Sequence, residues 1–404
     1  MPSRRALLSS VGAASVALAG CAASATQRVT GRWPQFGRTA ANGGTTTARG
    51  PVETVRERWT ADLKLPLRKT PVVAGGRVFV GGLDRFVAFD AATGEADWRV
   101  PIPESQRFND RAAAVGDGTV VAGFDGALRA FDAATGEEVW TTYPGDGIGA
   151  PTLRDGTLYV PVAETGRVEA RSLADGSRTW RTRVGEWIPG PVALAGDTVV
   201  AAGAGRDTSP GTLHGLDAAT GATRWALDLA PEPADDDSVD GDPTGVSVGD
   251  GRAYVGLDDG SVWTVRVRDG ERVWRFDPGT TITDEAYGDP DPRQPPVRAP
   301  PAVGDGRVYV PHGDARLYAL DAATGEQAWS FWAWNHLPAQ PSVGDGAVYV
   351  GCEDSFVYAL DPATGERLWE FSTQRYVESA PSVVDGHLFV ASADEHVYAL
   401  GGGR

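Results

Sequence analysis

The residue types that most often do nucleophilic, redox or metal chemistry are few in this sequence and lie far apart. Its two cysteines, Cys21 and Cys352, are not adjacent, and no Cys-x-x-Cys-His haem motif occurs. The five histidines form no His-Glu-x-x-His zinc motif, and there is no glycine-rich phosphate-binding loop. Two distant cysteines also exclude a disulfide scaffold and a cysteine-based zinc cluster. We therefore predict no catalytic residue from these motifs.

One acidic stretch has part of the spacing of a calcium-binding loop. Asp236, Ser238 and Asp240 occupy positions 1, 3 and 5 of such a loop. Position 12 is Ser247, where calcium requires a bidentate carboxylate. We interpret the insertion at residues 228–243 as a solvated acidic loop and predict no metal ligand in it.

The charge balance excludes one class of partner. The 404 residues contain 37 Lys and Arg against 54 Asp and Glu, a net charge of −17. Without Arg4 and Arg5, which belong to a targeting segment, 35 basic residues oppose 54 acidic ones, a net charge of −19. Nucleic acid is excluded as a partner because phosphate contacts need a basic surface. The acidic excess, with Lys64 and Lys69 as the only lysines, is typical of a halophile's protein.

The amino terminus has the features of an export signal followed by a lipid anchor. Arg4 and Arg5 precede an apolar stretch too short to span a bilayer, as in a twin-arginine signal peptide over residues 1–20. Cys21 ends a Leu-Ala-Gly-Cys sequence that resembles a lipoprotein box, in which the cysteine takes a lipid. Residues 21–52 would then be a tether and packing segment. We expect an exported lipoprotein on the outer face of the cytoplasmic membrane, which it contacts through the lipid only.

A repeat fills the rest of the chain. The most regular units open with a Pro-x-Val-x-Asp-Gly sequence, and the Asp-Gly pair present in six units predicts a tight hairpin. Most units carry Asp-x-Ala-Thr-Gly before a tryptophan, and this aspartate can accept local backbone N–H groups. Short alternating apolar segments predict four strands per unit, as in a propeller blade. The structural tryptophans recur at intervals of 39 to 55 residues and are Trp59, Trp98, Trp140, Trp180, Trp225, Trp274, Trp329 and Trp369.

The two ends of this repeat complete one blade. The last unit stops at Leu400 without a tryptophan-bearing fourth strand, whereas a strand around Trp59 precedes the first unit at Pro71. Pairing the two removes the free strand edges that favour aggregation. The prediction is an all-β fold, a single eight-bladed β-propeller of four-stranded blades over residues 53–400. Its ring is closed by the N-terminal strand around Trp59.

The repeat resembles that of a known family. Ala-Thr-Gly-Glu-x-x-Trp at about 40-residue spacing, with Val-Tyr-Ala-Leu-Asp, is similar to the pyrroloquinoline-quinone-type (PQQ-like) repeat. This family includes quinoprotein dehydrogenases, BamB-like outer-membrane assembly lipoproteins and halophilic archaeal surface proteins. For its enzymes, the resemblance implies PQQ held with calcium, a catalytic Asp and, in many, a disulfide between adjacent cysteines. This sequence lacks adjacent cysteines, so we expect no cofactor, with PQQ and calcium as the alternative.

Residues outside the repeat indicate where a ligand or partner would bind. The links from one blade's fourth strand to the next blade's first strand all lie on one face of the disc, here called the link face. Aromatic and charged residues of both signs in these links are typical of a recognition surface, although tryptophans there can also serve as a plug. The candidate binding face comprises Lys69, Arg107, Asn109, Trp187, Trp332, Trp334, Asn335, His336, Gln340, Arg375, Tyr376 and Glu378.

Three functions fit this sequence. The favoured one is a non-catalytic binding or scaffold module at the cell surface, whose partner is a surface protein or ligand that the sequence does not name. The second is a PQQ-dependent quinoprotein dehydrogenase, which a bound redox chromophore would distinguish from a scaffold. The third is a sensor of a small molecule or polymer.

Overall fold

Eight four-stranded antiparallel sheets form the blades of a β-propeller, as the sequence predicts. The computed structural model describes residues 28–64, 70–82, 84–102, 112–124, 126–205, 211–229, 241–279, 282–284, 289–293 and 295–403. First strands of neighbouring blades lie side by side around the axis, including those of blades 8 and 1. The fourth strand of each blade is therefore on the rim. Within the described residues, no helix has the length and apolarity needed to cross a membrane.

The strands of each blade follow one another along the chain, except in blade 8. Blade 1 consists of β2 Val72–Ala74, β3 Arg77–Gly81, β4 Arg85–Asp90 and β5 Ala96–Pro101. Blade 2 consists of β6 Ala114–Gly116, β7 Thr119–Gly123, β8 Leu128–Asp132 and β9 Glu138–Thr142. Blade 3 consists of β10 Thr152–Arg154, β11 Thr157–Val162, β12 Arg167–Ser172 and β13 Arg178–Arg183, with a 3₁₀ turn at Ala163–Thr165. Blade 4 consists of β14 Ala193–Ala195, β15 Thr198–Gly203, β16 Thr212–Asp217 and β17 Thr223–Asp228.

The second half of the ring has the same arrangement. Blade 5 consists of β18 Pro243–Gly249, β19 Arg252–Leu257, β20 Val262–Arg266 and β21 Arg272–Phe276. A two-stranded hairpin, β22 Ile282–Asp284 and β23 Asp289–Arg293, follows it. Blade 6 consists of β24 Ala302–Gly304, β25 Arg307–His312, β26 Arg316–Asp321 and β27 Gln327–Trp332. Blade 7 consists of β28 Ser342–Gly344, β29 Ala347–Gly351, β30 Phe356–Leu360 and β31 Arg367–Ser372. Blade 8 consists of β32 Ser382–Val384, β33 His387–Ala391, β34 His396–Gly402 and β1 Val55–Asp62.

The two recurring turns form because of their residue types. At Asp117-Gly118 both residues have positive φ, 48° and 74°, which a tight hairpin with this twist requires. In the second turn, Asp90 Oδ1 accepts the backbone N–H groups of Ala92 and Thr93, each at 2.9 Å. Both kinds of turn lie on the face opposite the links, here called the turn face.

Each repeat tryptophan joins its blade to the next one. Trp98 of blade 1 is buried, and its Nε1–H donates to the Ala133 carbonyl in the turn of blade 2 at 3.1 Å. A glycine is needed where the ring meets that turn: a Cβ added to Gly136, at φ 75°, would lie 2.7 Å from the Trp98 ring. The same ring, hydrogen bond and glycine recur at the other repeat tryptophans except Trp369, whose Nε1–H donates to the Pro51 carbonyl ahead of β1 at 2.8 Å. The repeat sequence therefore specifies contacts between blades.

Strand β1 closes the ring. It pairs antiparallel with β34, from Val55 opposite Gly402 to Asp62 opposite His396. Trp59 then donates its Nε1–H to the Ala91 carbonyl of blade 1 at 3.0 Å. The closure predicted from the positions of Trp59 and Leu400 is confirmed.

A segment before the propeller contacts every blade, which is more extensive than the tether and packing role predicted for residues 21–52. The N-terminal segment (residues 28–50) runs once around the axis along the first strands, at their turn-face ends. Its backbone carbonyls accept N–H groups at 2.7 to 2.8 Å from Val115, Leu194, Val248, Val303 and Val343 of blades 2, 4, 5, 6 and 7. It reaches blade 1 through a Trp33–Val73 bridge, blade 3 through the side chain of Gln35, and blade 8 through Asp385.

Candidate functional site

Two exposed tryptophans lie where blade 6 ends and the next link begins. Trp332 ends strand β27 with 51% of its surface exposed, and Trp334 in the link is 73% exposed. Their ring centroids are 4.6 Å apart in a T-shaped arrangement with an angle of 62° between the planes. Removing two such rings from water is favourable, so this exposed pair is an apolar surface available for contact.

The backbone around Trp334 is fixed. Ala333 and Leu337 on either side of it are buried, and the Ala333 N–H donates to the Ala315 carbonyl at 2.8 Å. The Trp334 N–H points to Asp354 Oδ2 at 3.4 Å, and the same oxygen accepts the Tyr358 hydroxyl at 2.6 Å. The two exposed rings are therefore presented from an ordered link.

The aspartate that supports this link recurs in the next blade. Asp394 Oδ2 accepts the Gln374 N–H at 2.9 Å and the Tyr398 hydroxyl at 2.6 Å. Blade 6 has the same tyrosine contact, in which Asp314 accepts the Tyr318 hydroxyl at 2.6 Å. Burial and this hydrogen bond raise the pKa of Tyr318 to about 12, so the tyrosine stays a neutral donor. These acids serve to hold loops of the link face.

Three predicted residues occupy equivalent places in their links. Trp187, His336 and Tyr376 are each half-buried and are each followed by a buried aliphatic residue. The backbone carbonyl of each accepts an N–H from the next blade: Ala204 at 2.9 Å, Glu353 at 3.0 Å and Ala393 at 3.0 Å. One side of each ring thus packs on the propeller and the other contributes to the link face.

The remaining polar candidates lie along the links that leave blades 6 and 7. Arg375 is exposed, and its guanidinium carbon lies 5.5 Å from the centroid of the Tyr376 ring, a cation–π distance. Asn335 is exposed, and its side-chain oxygen accepts the His336 N–H at 2.8 Å. Glu378 is half-buried. Charge, amide and aromatic groups are therefore combined on this side of the link face.

Gln340 was wrongly predicted to be on the binding face. Its side chain is 2% exposed, and Nε2 donates to the carbonyls of Asn42 and Pro301 at 2.7 and 3.0 Å. The physical reason is the path of the link, which starts on the rim and ends at the axis, where the N-terminal segment fills the space. Gln340 is consequently part of the packing between that segment and the blades. The predicted Lys69, Arg107, Asn109 and Cys21 lie outside the described residues.

One exposed aromatic residue was not among the predicted candidates. Tyr143, 70% exposed, directly follows the fourth strand of blade 2 and so lies on the rim of the link face. Trp332 ends the fourth strand of blade 6, on the other side of the ring. The available signal was position, because the outward-pointing end of a rim strand has no neighbouring blade to cover it.

Several groups that could do chemistry are engaged in packing. Among them, no group of three or more His, Cys, Asp or Glu could hold a metal ion. Asn42 of the N-terminal segment occupies the axis, where its Nδ2 donates to the Val192 carbonyl at 2.6 Å. Gly245-Val246-Ser247-Val248-Gly249 has the spacing of a hydrolase nucleophile motif, but Ser247 is buried and its hydroxyl donates to the Asn42 carbonyl at 2.9 Å. Cys352 is also buried, and burial raises the pKa of its thiol, which makes it a poor nucleophile.

Comparison with known families agrees with the propeller fold. A family model described as "Outer membrane protein assembly factor BamB" matches residues 51–143, 87–205, 164–292, 210–341 and 331–402, which together span most of the chain. The chain belongs to this PQQ-repeat family.

Individual relatives match parts of the chain. BamB of Moranella endobia (strain PCIT) is 30% identical over 185 residues, 45% of this chain and 43% of the relative. The quinohemoprotein alcohol dehydrogenase ADH-IIG of Pseudomonas putida is 30% identical over 143 residues, 33% of this chain and 19% of the relative. The chain thus spans less than half the length of these curated relatives.

Solved structures share the fold. Quinohemoprotein alcohol dehydrogenase from Comamonas testosteroni superposes with a TM-score of 0.74 at 18% identity, covering 94% of this chain and 82% of that one. BamB from Moraxella catarrhalis gives a TM-score of 0.64 at 17% identity, covering 86% and 100%. A dehydrogenase and an assembly factor both share the fold of this chain, so the fold alone does not distinguish between their functions.

Proposed function

We propose that this protein is a non-catalytic binding or scaffold module that captures a protein partner on its link face. The observation that carries the proposal is the pair Trp332 and Trp334, two large rings held in solvent by an ordered backbone. Tryptophan, tyrosine and arginine supply most of the binding energy at protein interfaces. Arg375 and Tyr376 provide the other two of these residue types in the next link.

The charge of the chain bears on the kind of partner. With 54 acidic and 37 basic residues, the chain repels an acidic partner at long range and attracts a basic one. We therefore expect a partner whose own contact surface is neutral or basic. The rings would be buried at the centre of such a contact, and the charged residues around them would set orientation. BamB relatives are outer membrane protein assembly factors by name, which supports a protein rather than a small molecule as partner.

The quinoprotein dehydrogenase is the second candidate, favoured by the similarity to alcohol dehydrogenases. It requires a site for PQQ, and two polar side chains between the N-terminal segment and the blades are already engaged with backbone carbonyls, Asn42 with Val192 and Gln340 with Asn42. An absorbance spectrum recorded after incubation with PQQ and calcium distinguishes the two functions. A bound chromophore would support the enzyme, and an unchanged spectrum would support the binding module.

We also propose that the protein is exported and anchored through Cys21 on the outer face of the cytoplasmic membrane. The twin-arginine sequence and the Leu-Ala-Gly-Cys sequence support this placement. A Cys21→Ser variant should move from the membrane fraction to the medium, because acyl chains supply the membrane affinity. Equal membrane retention of the variant and the native chain would contradict the anchor.

Capture experiments test the binding function. The native chain, cross-linked on its own cells and purified, should retain a discrete partner that a Trp332→Ser, Trp334→Ser variant loses. Tyr143→Ser is the matched control, because it also removes an exposed aromatic ring at the end of a fourth strand but lies across the ring in blade 2. The control should retain the partner. If both variants capture the same proteins as the native chain, the binding surface lies elsewhere.

A further inference from the structure

A second surface feature lies on the opposite side of the disc and plays no part in the proposed partner binding. It is a cleft of about 720 Å³ on the turn face, between the N-terminal segment and the first strands of blades 2, 3 and 4. This volume is in the range of small-molecule sites. Three arginines line it, Arg32 and Arg38 from the segment and Arg154 from blade 3.

Arg38 is held in an unusual way for an arginine. Its backbone has a left-handed φ of 68°, which costs a non-glycine residue free energy and which the surrounding turn imposes. Gln35 and Thr45 hold the residue: the Arg38 N–H donates to the Gln35 carbonyl at 3.0 Å, and one guanidinium nitrogen approaches the Thr45 carbonyl at 3.4 Å. The Nε atom is buried and has no hydrogen-bond partner among the described residues. Burial also lowers the pKa of Arg38, consistent with a guanidinium short of favourable contacts.

The charges around the cleft leave this guanidinium available. Within the part of the chain that the structure describes, no carboxylate forms an ion pair with Arg32 or Arg38, although acids outnumber bases overall. The two acids that line the cleft are Asp117 and Asp155, at the tips of Asp-Gly hairpins. Asp155 is engaged by Arg154, whose Nε lies 3.3 Å from its Oδ2.

Apolar side chains form part of the rest of the lining, beside the polar Gln35 and Thr39. Pro34, Ala40, Ala41 and Leu194 form part of the wall. A ligand in this cleft would therefore place an anionic group against arginine and an apolar body against the wall. Guanidinium groups bind carboxylate and phosphate in the same two-pronged geometry, so either anion satisfies the arginine side.

We propose that the turn-face cleft is a binding site for a small organic anion, with one carboxylate or phosphate group on an apolar body. Arg38 holds the anionic group, Arg32 adds positive charge from the edge, and the apolar wall receives the body. The site is independent of the link face, since it is formed by the opposite ends of the strands.

Calorimetric titration of the folded full chain tests the site with three probes: benzoate, phenyl phosphate and the neutral analogue benzyl alcohol. At least one anion should bind at one site per chain, and benzyl alcohol should not. The anion that binds more tightly identifies the group the site prefers. Arg38→Gln should weaken binding at least about tenfold, the loss expected for a charge-assisted two-pronged contact.

Two further variants make the result unambiguous. Arg49→Gln removes an exposed arginine of the same segment that does not line the cleft, and it should bind the anion like the native chain. Arg32→Gln changes an exposed residue and should weaken binding without altering the melting temperature, which covers the case in which Arg38→Gln unfolds. Absence of binding by both anions up to about 10 mM, or equal binding by the native chain, Arg38→Gln and Arg32→Gln, would overturn the proposal.

Discussion

Ring closure by β1 can be tested by replacing Trp59 with alanine and comparing the result with Trp98→Ala. The two tryptophans are matched: they are 8% and 9% exposed, and their indole N–H groups donate to backbone carbonyls at 3.0 and 3.1 Å. Removing a buried tryptophan costs about 3–5 kcal/mol. A buried carbonyl left without its donor adds about 1–3 kcal/mol. Each variant should therefore lose several kcal/mol of unfolding free energy.

The difference between the variants measures closure. Trp98 lies on β5, which follows β4 through a short turn, whereas β1 reaches β34 from the other end of the chain. Loss of Trp59 should release β1 and expose the edge of β34, so Trp59→Ala should lose the larger free energy in urea unfolding followed by circular dichroism. Hydrogen exchange should show reduced protection of β34 amides in Trp59→Ala only. Equal free energies with unchanged β34 protection would refute the reasoning.

Three other predictions concern the axis, a buried acid and the net charge. Asn42→Ala should lower the unfolding free energy by about 1–3 kcal/mol, because it removes the donor to the buried Val192 carbonyl, whereas exposed Thr39→Ala should change it little. Partial burial, with the negative charges of Asp242 and Asp259, raises the pKa of Asp258 to about 6, although the Asp242 backbone N–H bond opposes this. The folded state then binds more protons than the unfolded one, so stability should fall as pH rises from about 4 to 6, and less so in Asp258→Asn. With a net charge of −17, the melting temperature should rise from 0.01 to 1 M KCl, as the Debye length falls from about 30 to about 3 Å; a flat profile would contradict the halophilic interpretation.

The propeller itself was predictable because its determinants are local and repeated. Asp117-Gly118 specifies a hairpin by backbone conformation, and Asp90 specifies a turn by hydrogen bonds two and three residues on. The tryptophan spacing then gives the blade length, and the positions of Trp59 and Leu400 indicate how the ring closes.

The N-terminal segment could not be predicted in the same way. It meets the blades mainly through backbone groups, such as the Ala40 carbonyl that accepts the Leu194 N–H, and such contacts place little constraint on residue type. Gln340 was misplaced for the same reason, because its partner Asn42 is 298 positions away in a segment without the repeat. A link residue's distance from the rim depends on where the link ends, which periodicity does not give.

The exposed rings were only partly accessible to sequence reasoning. Trp332 and Trp334 stood out because they break the repeat. Tyr143 did not, because its residue type fits a position packed against the next blade, and only its place at the end of a fourth strand indicated exposure. Burial at the rim depends on tertiary neighbours, and these are not encoded in the local pattern.

The most direct test of partner binding at the link face is photo-crosslinking in living cells. A p-benzoylphenylalanine at position 334 places the reactive group in the exposed ring pair, and the same residue at position 143 places it on the opposite rim. The account predicts a discrete crosslinked protein from position 334 that is absent from position 143. No crosslinked partner from position 334, or the same partners from both positions, would contradict it.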